Sequence, residues 1–174
     1  MNDENMLEAL HNISFLQSST EEHLEQLVEI ARFISFPEGK VIFHQGDPAE
    51  RAFLIVSGTV SLEICAPAVG CSRILTIGAG DLLGWSSVLG RAHLTSTARA
   101  LTATEAIELS GERLRNLCEQ NPRFGYEFMR RTALALTSRL STTRLQLLNV
   151  FAAETPRAVD GIDDLASSRR GGER

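Results

Sequence analysis

Cysteine is scarce in this chain and poorly spaced for holding a metal. There are three, Cys65, Cys71 and Cys118, with no Cys-x-x-Cys pair, so the pattern indicates neither a zinc site nor a disulfide framework. Cys65 and Cys71 flank Ala-Pro-Ala-Val-Gly, a hairpin spacing that could set them opposite each other; separate thiols are favoured over a functional redox pair. Basic charge is also in short supply. Lysine and arginine total 17 against 22 aspartates and glutamates, a net charge of −5, which argues against a general nucleic-acid binder and its basic face. No apolar run is long enough to span a bilayer, and the first residues, with Asp3 and Glu4, lack a charged-then-apolar leader. A cytoplasmic location is expected. His11, His23, His44 and His93 show no helical i,i+4 pairing and no cysteine neighbour, so they read as structural or solvated rather than metal-bound. Paired carboxylates, a nucleophile triad and a metal motif are all missing at mechanistic spacing, and no enzymatic role is expected.

What is present is enough for one domain with a real core: 174 residues, 43% of them hydrophobic. Met6, Leu7, Leu10, Ile13 and Leu16 fit a helix over Asn5–Gln17, and Ser19-x-x-Glu22 reads as a capping box opening a second one that carries Leu24, Leu27, Val28 and Ile30. From Arg32 the pattern turns β-branched and aromatic, broken by the turn Pro37-Glu38-Gly39-Lys40. Strands are expected over Arg51–Ser57, Thr59–Cys65, Ser72–Ile77, Thr95–Leu101 and Ala103–Leu109, with Gly58 at a turn where another residue would be strained. About eight short strands between glycine and proline turns favour a jelly roll over a parallel sheet. Ser110 caps a helix over Glu112–Gln120, and Asn121-Pro122 starts the last helix, to about Ala152. Met129, Ala133, Leu136, Leu140, Thr143, Leu147 and Val150 have the spacing of an a/d seam suited to a parallel dimer. Phe124, Phe128, Leu134, Leu145 and Leu148 remain to face the barrel. The expected organisation is α+β: N-terminal helices over 1–31, a β jelly roll over 32–110, C-terminal helices with a long dimerisation helix over 111–152, and a disordered tail over 153–174.

The stretch Ile77 to Ala100, Ile-Gly-Ala-Gly-Asp-Leu-Leu-Gly-Trp-Ser-Ser-Val-Leu-Gly-Arg-Ala-His-Leu-Thr-Ser-Thr-Ala-Arg-Ala, bends the backbone at three glycines and then opens a short helical turn on Ser86 and Ser87. Free N–H groups at such a turn suit an anion. Upstream, Gly39, Gly46, Asp47 and Gly58 fall at turns between β-rich segments. Together, over roughly Leu24 to Val150, the chain resembles the cyclic nucleotide-binding domain of the catabolite activator, FNR-type regulators and protein kinase A regulatory subunits.

That resemblance implies a phosphate-binding cassette whose opening is matched by Leu83 and Gly84. The family's ribose-binding Glu falls on Trp85 and its phosphate-pairing Arg falls on Leu94. Both charged anchors are missing. What is left to hold an anion is the backbone around Trp85 to Ser87 and the hydroxyls of Ser86, Ser87, Thr95, Ser96 and Thr97, with Arg91 or His93 as candidate replacement charge. Trp85 either stacks on a flat ligand or packs in the place of the Glu. Thr143, beside Arg144, aligns with a position that contacts the base across a dimer, and is equally a buried seam hydroxyl. The resemblance implies a stand-alone regulatory sensor for a cyclic nucleotide or related small anion, signalling to a protein partner; the alternative is a degenerate dimeric scaffold. A haem sensor, with Cys71 or His93 as ligand, is a remote third, and an FNR-type iron–sulfur sensor is not expected because no cysteine precedes Cys65. Too few residues follow the long helix for the helix-turn-helix of the family's transcription factors, so DNA reading by that device is not expected.

Overall fold

Strand periodicity explains the architecture. In β3 (Arg51–Ser57) the four consecutive residues Ala52, Phe53, Leu54 and Ile55 are all apolar and buried, the pattern of a strand covered on both faces. Ala52 and Leu54 pack with Leu10, Leu24, Leu27, Phe124 and Phe128 of the helices, whereas Phe53 and Ile55 pack with Val60, Leu62, Ala98 and Ala100 of a second sheet. The computed structural model describes residues 3–68 and 70–154. It forms two antiparallel four-stranded sheets, ordered β1-β8-β3-β6 and β2-β7-β4-β5, with β1 Ala31–Phe36, β2 Val41–Phe43, β4 Thr59–Ala66, β5 Gly70–Gly78, β6 Leu82–Leu83, β7 Thr97–Ala100 and β8 Thr104–Ser110. This is the jelly-roll arrangement expected. The second sheet alternates: Val60, Leu62, Ala98 and Ala100 face inward, and Ser61, Glu63, Thr97 and Arg99 carry polar contacts on the other face. Gly58, between β3 and β4, has φ +91°, and a Cβ there would meet Ala103 O at 2.5 Å, so the turn requires glycine.

The helices are α1 (Asp3–His11), α2 (Glu21–Val28), α3 (Trp85–Val88), α4 (Gly111–Gln120) and α5 (Pro122–Glu154). The first is shorter than expected. It stops at His11, and Ser14–Leu16 forms a separate 3-10 turn, because Phe15 N–H and Ser14 Oγ both donate to Gly80 O. The second cap lies one residue on from the expected Ser19: Thr20 Oγ1 accepts from His23 N–H, and Thr20 N–H donates to His23 Nδ1. Leu24 and Leu27 then fall on the core. Ser110 caps α4 as expected, and Pro122 opens α5 with Asn121 Oδ1 accepting from Phe124 N–H.

The described residues fall into two units that divide between 143 and 144. In the first, the inner stripe of α5 differs from the expected one. Phe124, Phe128 and Thr132 are buried, but Leu134 is 57% exposed. The four-residue step from Phe128 lands on Thr132, whose hydroxyl donates to Phe128 O. No residue of the expected seam from Met129 to Thr143 is buried. In the second unit Leu145, Leu147 and Leu148 are exposed. The side chain of Val150, and the expected tail from residue 155 onward, lie outside the described residues.

The cysteines are a correction. Register sets Cys65 opposite Cys71 across β4 and β5, as the hairpin spacing allowed, but the two form a disulfide rather than the separate thiols expected. Cys118 is a free, half-buried thiol, and burial, helped by Glu119, pushes its pKa up from 9.0 to about 11. At pH 8 its thiolate is therefore about a hundredfold rarer than that of an exposed thiol. Iodoacetamide without reductant should label Cys118 alone, about a hundredfold more slowly in the native than in the urea-denatured protein, with the native rate climbing toward pH 11. Equal rates would show that the thiol is not desolvated.

Candidate functional site

The expected anion cassette begins where β6 leaves the first sheet. Leu83 is buried in the inter-sheet core and pairs with Phe53. Gly84 follows at φ +76°, and a Cβ on it would lie 2.6 Å from Arg51 O. Gly84 caps the single turn α3. Ser87 is fully buried, and its N–H and its hydroxyl both donate to Gly84 O, at 3.1 and 2.9 Å, so it offers a guest nothing. Its carbonyl accepts from Arg115 of α4. Ser86 is also buried, and its carbonyl accepts from Arg91 N–H. The amides of Trp85 and Ser86 have no acceptor among the described residues. Trp85 packs against the helix-facing core.

Leu94, on the family's arginine position, is 8% exposed and exchanges backbone bonds with the loop after β2: Leu94 N–H donates to Asp47 O, and Gly46 N–H donates to Leu94 O, both at 2.9 Å. It lines a pocket of about 140 Å³ with Phe43, Asp47, Arg51 and Phe53, below the ~300–1,000 Å³ usual for small-molecule sites. Thr95 is exposed and Ser96 half-buried, whereas Thr97 is buried with its hydroxyl accepting from Gln45 N–H. Arg91 and His93 are exposed, and His93 forms a β-bridge with Pro48.

A larger groove, about 370 Å³, lies between β5 and α5. It is lined by Leu75, Thr76, Ile77, Asp81, Ala135, Ser138, Arg139 and Thr142. None of the expected site residues lines it. Arg139 is half-buried, and its Nη2 donates to Leu82 O, one residue before the cassette opening. Desolvation pulls the guanidinium's pKa below its usual value while Asp81 pushes it back up, and an arginine remains charged under both influences. Asp81 also accepts from Gly78 N–H. The groove thus presents a desolvated cation, a carboxylate and the hydroxyl-bearing residues Thr76, Ser138 and Thr142. Thr143 is exposed, and its hydroxyl donates to Arg139 O.

Arg139 was missed by the sequence reading because apolar spacing alone defined the faces of the last helix. A second missed cluster closes one end of the first sheet. Glu108 of β8, 8% exposed, holds Arg32 at 2.8 Å and Arg51 at 3.3 Å. A lone glutamate between the buried Ile107 and Leu109 was its only signal.

The family profile described as the cyclic nucleotide-binding domain matches residues 33–121. A CRP-like cAMP-activated global transcriptional regulator of Mycobacterium tuberculosis is 29% identical over 127 residues, covering 72% of this chain and 54% of the regulator; the chain spans about half the length of that curated relative. A solved Geobacter metallireducens structure, assigned provisionally as a cyclic nucleotide-binding protein, is 32% identical with a TM-score of 0.68, covering 76% of this chain and 96% of that one. The catabolite activator protein of Thermus thermophilus is 25% identical with a TM-score of 0.64, covering 79% of this chain and 63% of that one.

The turn into α3 tolerates no side chain on Gly84. Gly84→Ala should cost about 1–3 kcal/mol in urea unfolding, against about 0.5–1.5 kcal/mol for Ser87→Ala, which removes one buried hydrogen bond. A Gly84→Ala protein as stable as wild type would mean that the turn relaxes freely.

Proposed function

Because the chain belongs to the cyclic nucleotide-binding domain family, we propose that it is a regulatory ligand-binding module whose guest, a cyclic nucleotide or related small anion, sits in the groove between β5 and α5. The observation that carries this reading is Arg139: a desolvated guanidinium in a groove of about 370 Å³, on a fold whose two other charged anchors are replaced by Trp85 and Leu94. Anionic oxygens would take the Arg139 donors, and Asp81 would accept from a guest hydroxyl. The module is read as cytoplasmic and non-enzymatic, acting on a protein partner. Among the described residues, no helix is long and apolar enough to cross a membrane.

Titration calorimetry with cyclic AMP, cyclic GMP and cyclic dinucleotides tests this. One of them should bind, and Arg139→Met should weaken it roughly tenfold to over a hundredfold, the equivalent of about 1.5–3 kcal/mol for a bond to a charged group. Thermal unfolding run alongside shows that the variant is folded. The second reading, a scaffold that binds no nucleotide, is favoured by the apolar side chains at both family anchor positions. Absence of heat at millimolar ligand would establish it over the first.

Either reading includes a homodimer through α5. The seam residues Met129 and Leu140 are 37% and 51% exposed, and a second copy of the same helix would cover them. Sedimentation should give a dimer, and Leu140→Glu should shift it to monomer without lowering the unfolding temperature of the body. A wild-type monomer at all concentrations would remove the seam.

A further inference from the structure

The disulfide belongs to neither the groove nor the cassette, and its two sulfurs have unequal surroundings. Cys71 is exposed; Cys65 is half-buried. Cys65 N–H donates to Gln45 Oε1 at 2.9 Å, and Gln45 N–H donates to Thr97 Oγ1 at 3.0 Å. Thr97 is 3% exposed, and its hydroxyl oxygen lies 3.7 Å from Cys65 Sγ. A bonded sulfur carries no hydrogen, so the hydroxyl is the donor in that contact. If the bond opens with charge left on Cys65, a donor is already aimed at the sulfur that receives it. A stabilised thiolate is the better leaving group. The same loop holds Leu94 through Gly46 and Asp47, so the surroundings of Cys65 are continuous with the segment that follows the cassette.

We propose that Cys65 and Cys71 form a reversible dithiol–disulfide site that exchanges with small thiols, Cys71 being the sulfur attacked and Cys65 the leaving group. In opening, the thiolate of a small thiol attacks Cys71 Sγ, the bond between the cysteines breaks, and Cys65 departs as a thiolate that takes a proton from water. A second small thiolate attacks the small molecule's sulfur in the mixed disulfide and releases Cys71. The protein gains two electrons and two protons while two small thiols become one disulfide. Closing is the reverse, with a small disulfide as oxidant.

Full-length protein equilibrated in mixtures of reduced and oxidised glutathione, acid-quenched, alkylated and mapped by mass spectrometry tests the site. The Cys65–Cys71 bond should open and re-form within the glutathione range, and the glutathione adduct trapped during opening should sit on Cys71 roughly tenfold over Cys65. Thr97→Val should slow opening several-fold and level that preference, while Thr97→Ser, which keeps the hydroxyl, should retain both. A bond that stays closed in excess reduced glutathione, adducts spread equally over the two cysteines, or a Thr97→Val protein that opens at the wild-type rate and preference would each overturn the proposal.

Discussion

Burial of the first sheet on both of its faces is the constraint from which the rest of the structure follows. β3 and β8 must offer apolar side chains in two directions, Leu54 and Ile107 toward the helices, Ile55 and Ala106 toward the second sheet. Here a helical layer covers one side and a second sheet the other. That requirement recruits α1, α2, α4 and the first turns of α5 to one face. It leaves the second sheet, with one face already used, free to carry polar groups such as Glu63 and Arg99 on the other.

The helix layer is held differently along α5. Its first turns pack through Phe124 and Phe128, rings that sit 5.6 Å apart and meet Phe15 and His23. From Arg131 onward the helix makes polar contacts as well. Arg131 donates to Ser14 O at 3.3 Å and to Ser18 Oγ, and Arg139 donates to Leu82 O. A carbonyl holding a guanidinium is an exchangeable contact, since an anion can offer the same donors a better acceptor. Apolar packing has no such competitor. The early part of α5 is thus fixed by the core, and its later part is held by a contact that a ligand could replace.

Much of this was legible in the sequence where local chemistry decides. β3 begins and ends where its composition does, at Arg51 and Ser57, and Ser110 and Pro122 mark the helix starts that capping preferences predict. The fold could be named because its glycine turns fall in register. What could not be read depends on partners distant in sequence. The break at His11 exists because Gly80 O, far along the chain, captures Ser14 and Phe15. The cap moved from Ser19 to Thr20, two residues of nearly equal capping ability separated only by where Leu24 and Leu27 must land. Leu134 looked like core from its type alone, but the phase of the helix gives that direction to Thr132.

The same distinction governs the site. An alignment of the cassette can report only that Trp85 and Leu94 have replaced a carboxylate and a guanidinium; it cannot report where charge has gone instead. In the folded chain Leu94 is enclosed and its backbone is tied to Asp47 and Gly46, so neutral packing there is part of the structure rather than an empty place for a cation. Trp85 is likewise tied to the helix layer. The desolvated positive charge lies on α5, at Arg139, bonded to the residue that leads into the cassette. If a guest engages that charge, it must act on the helix directly, without the short turn as intermediary. Ligand recognition and helix position would then be two aspects of one hydrogen-bond exchange at Leu82 O. Differential affinity between two arrangements of the helix, the thermodynamic requirement for a sensor, would arise from whether Arg139 faces its own backbone or the guest.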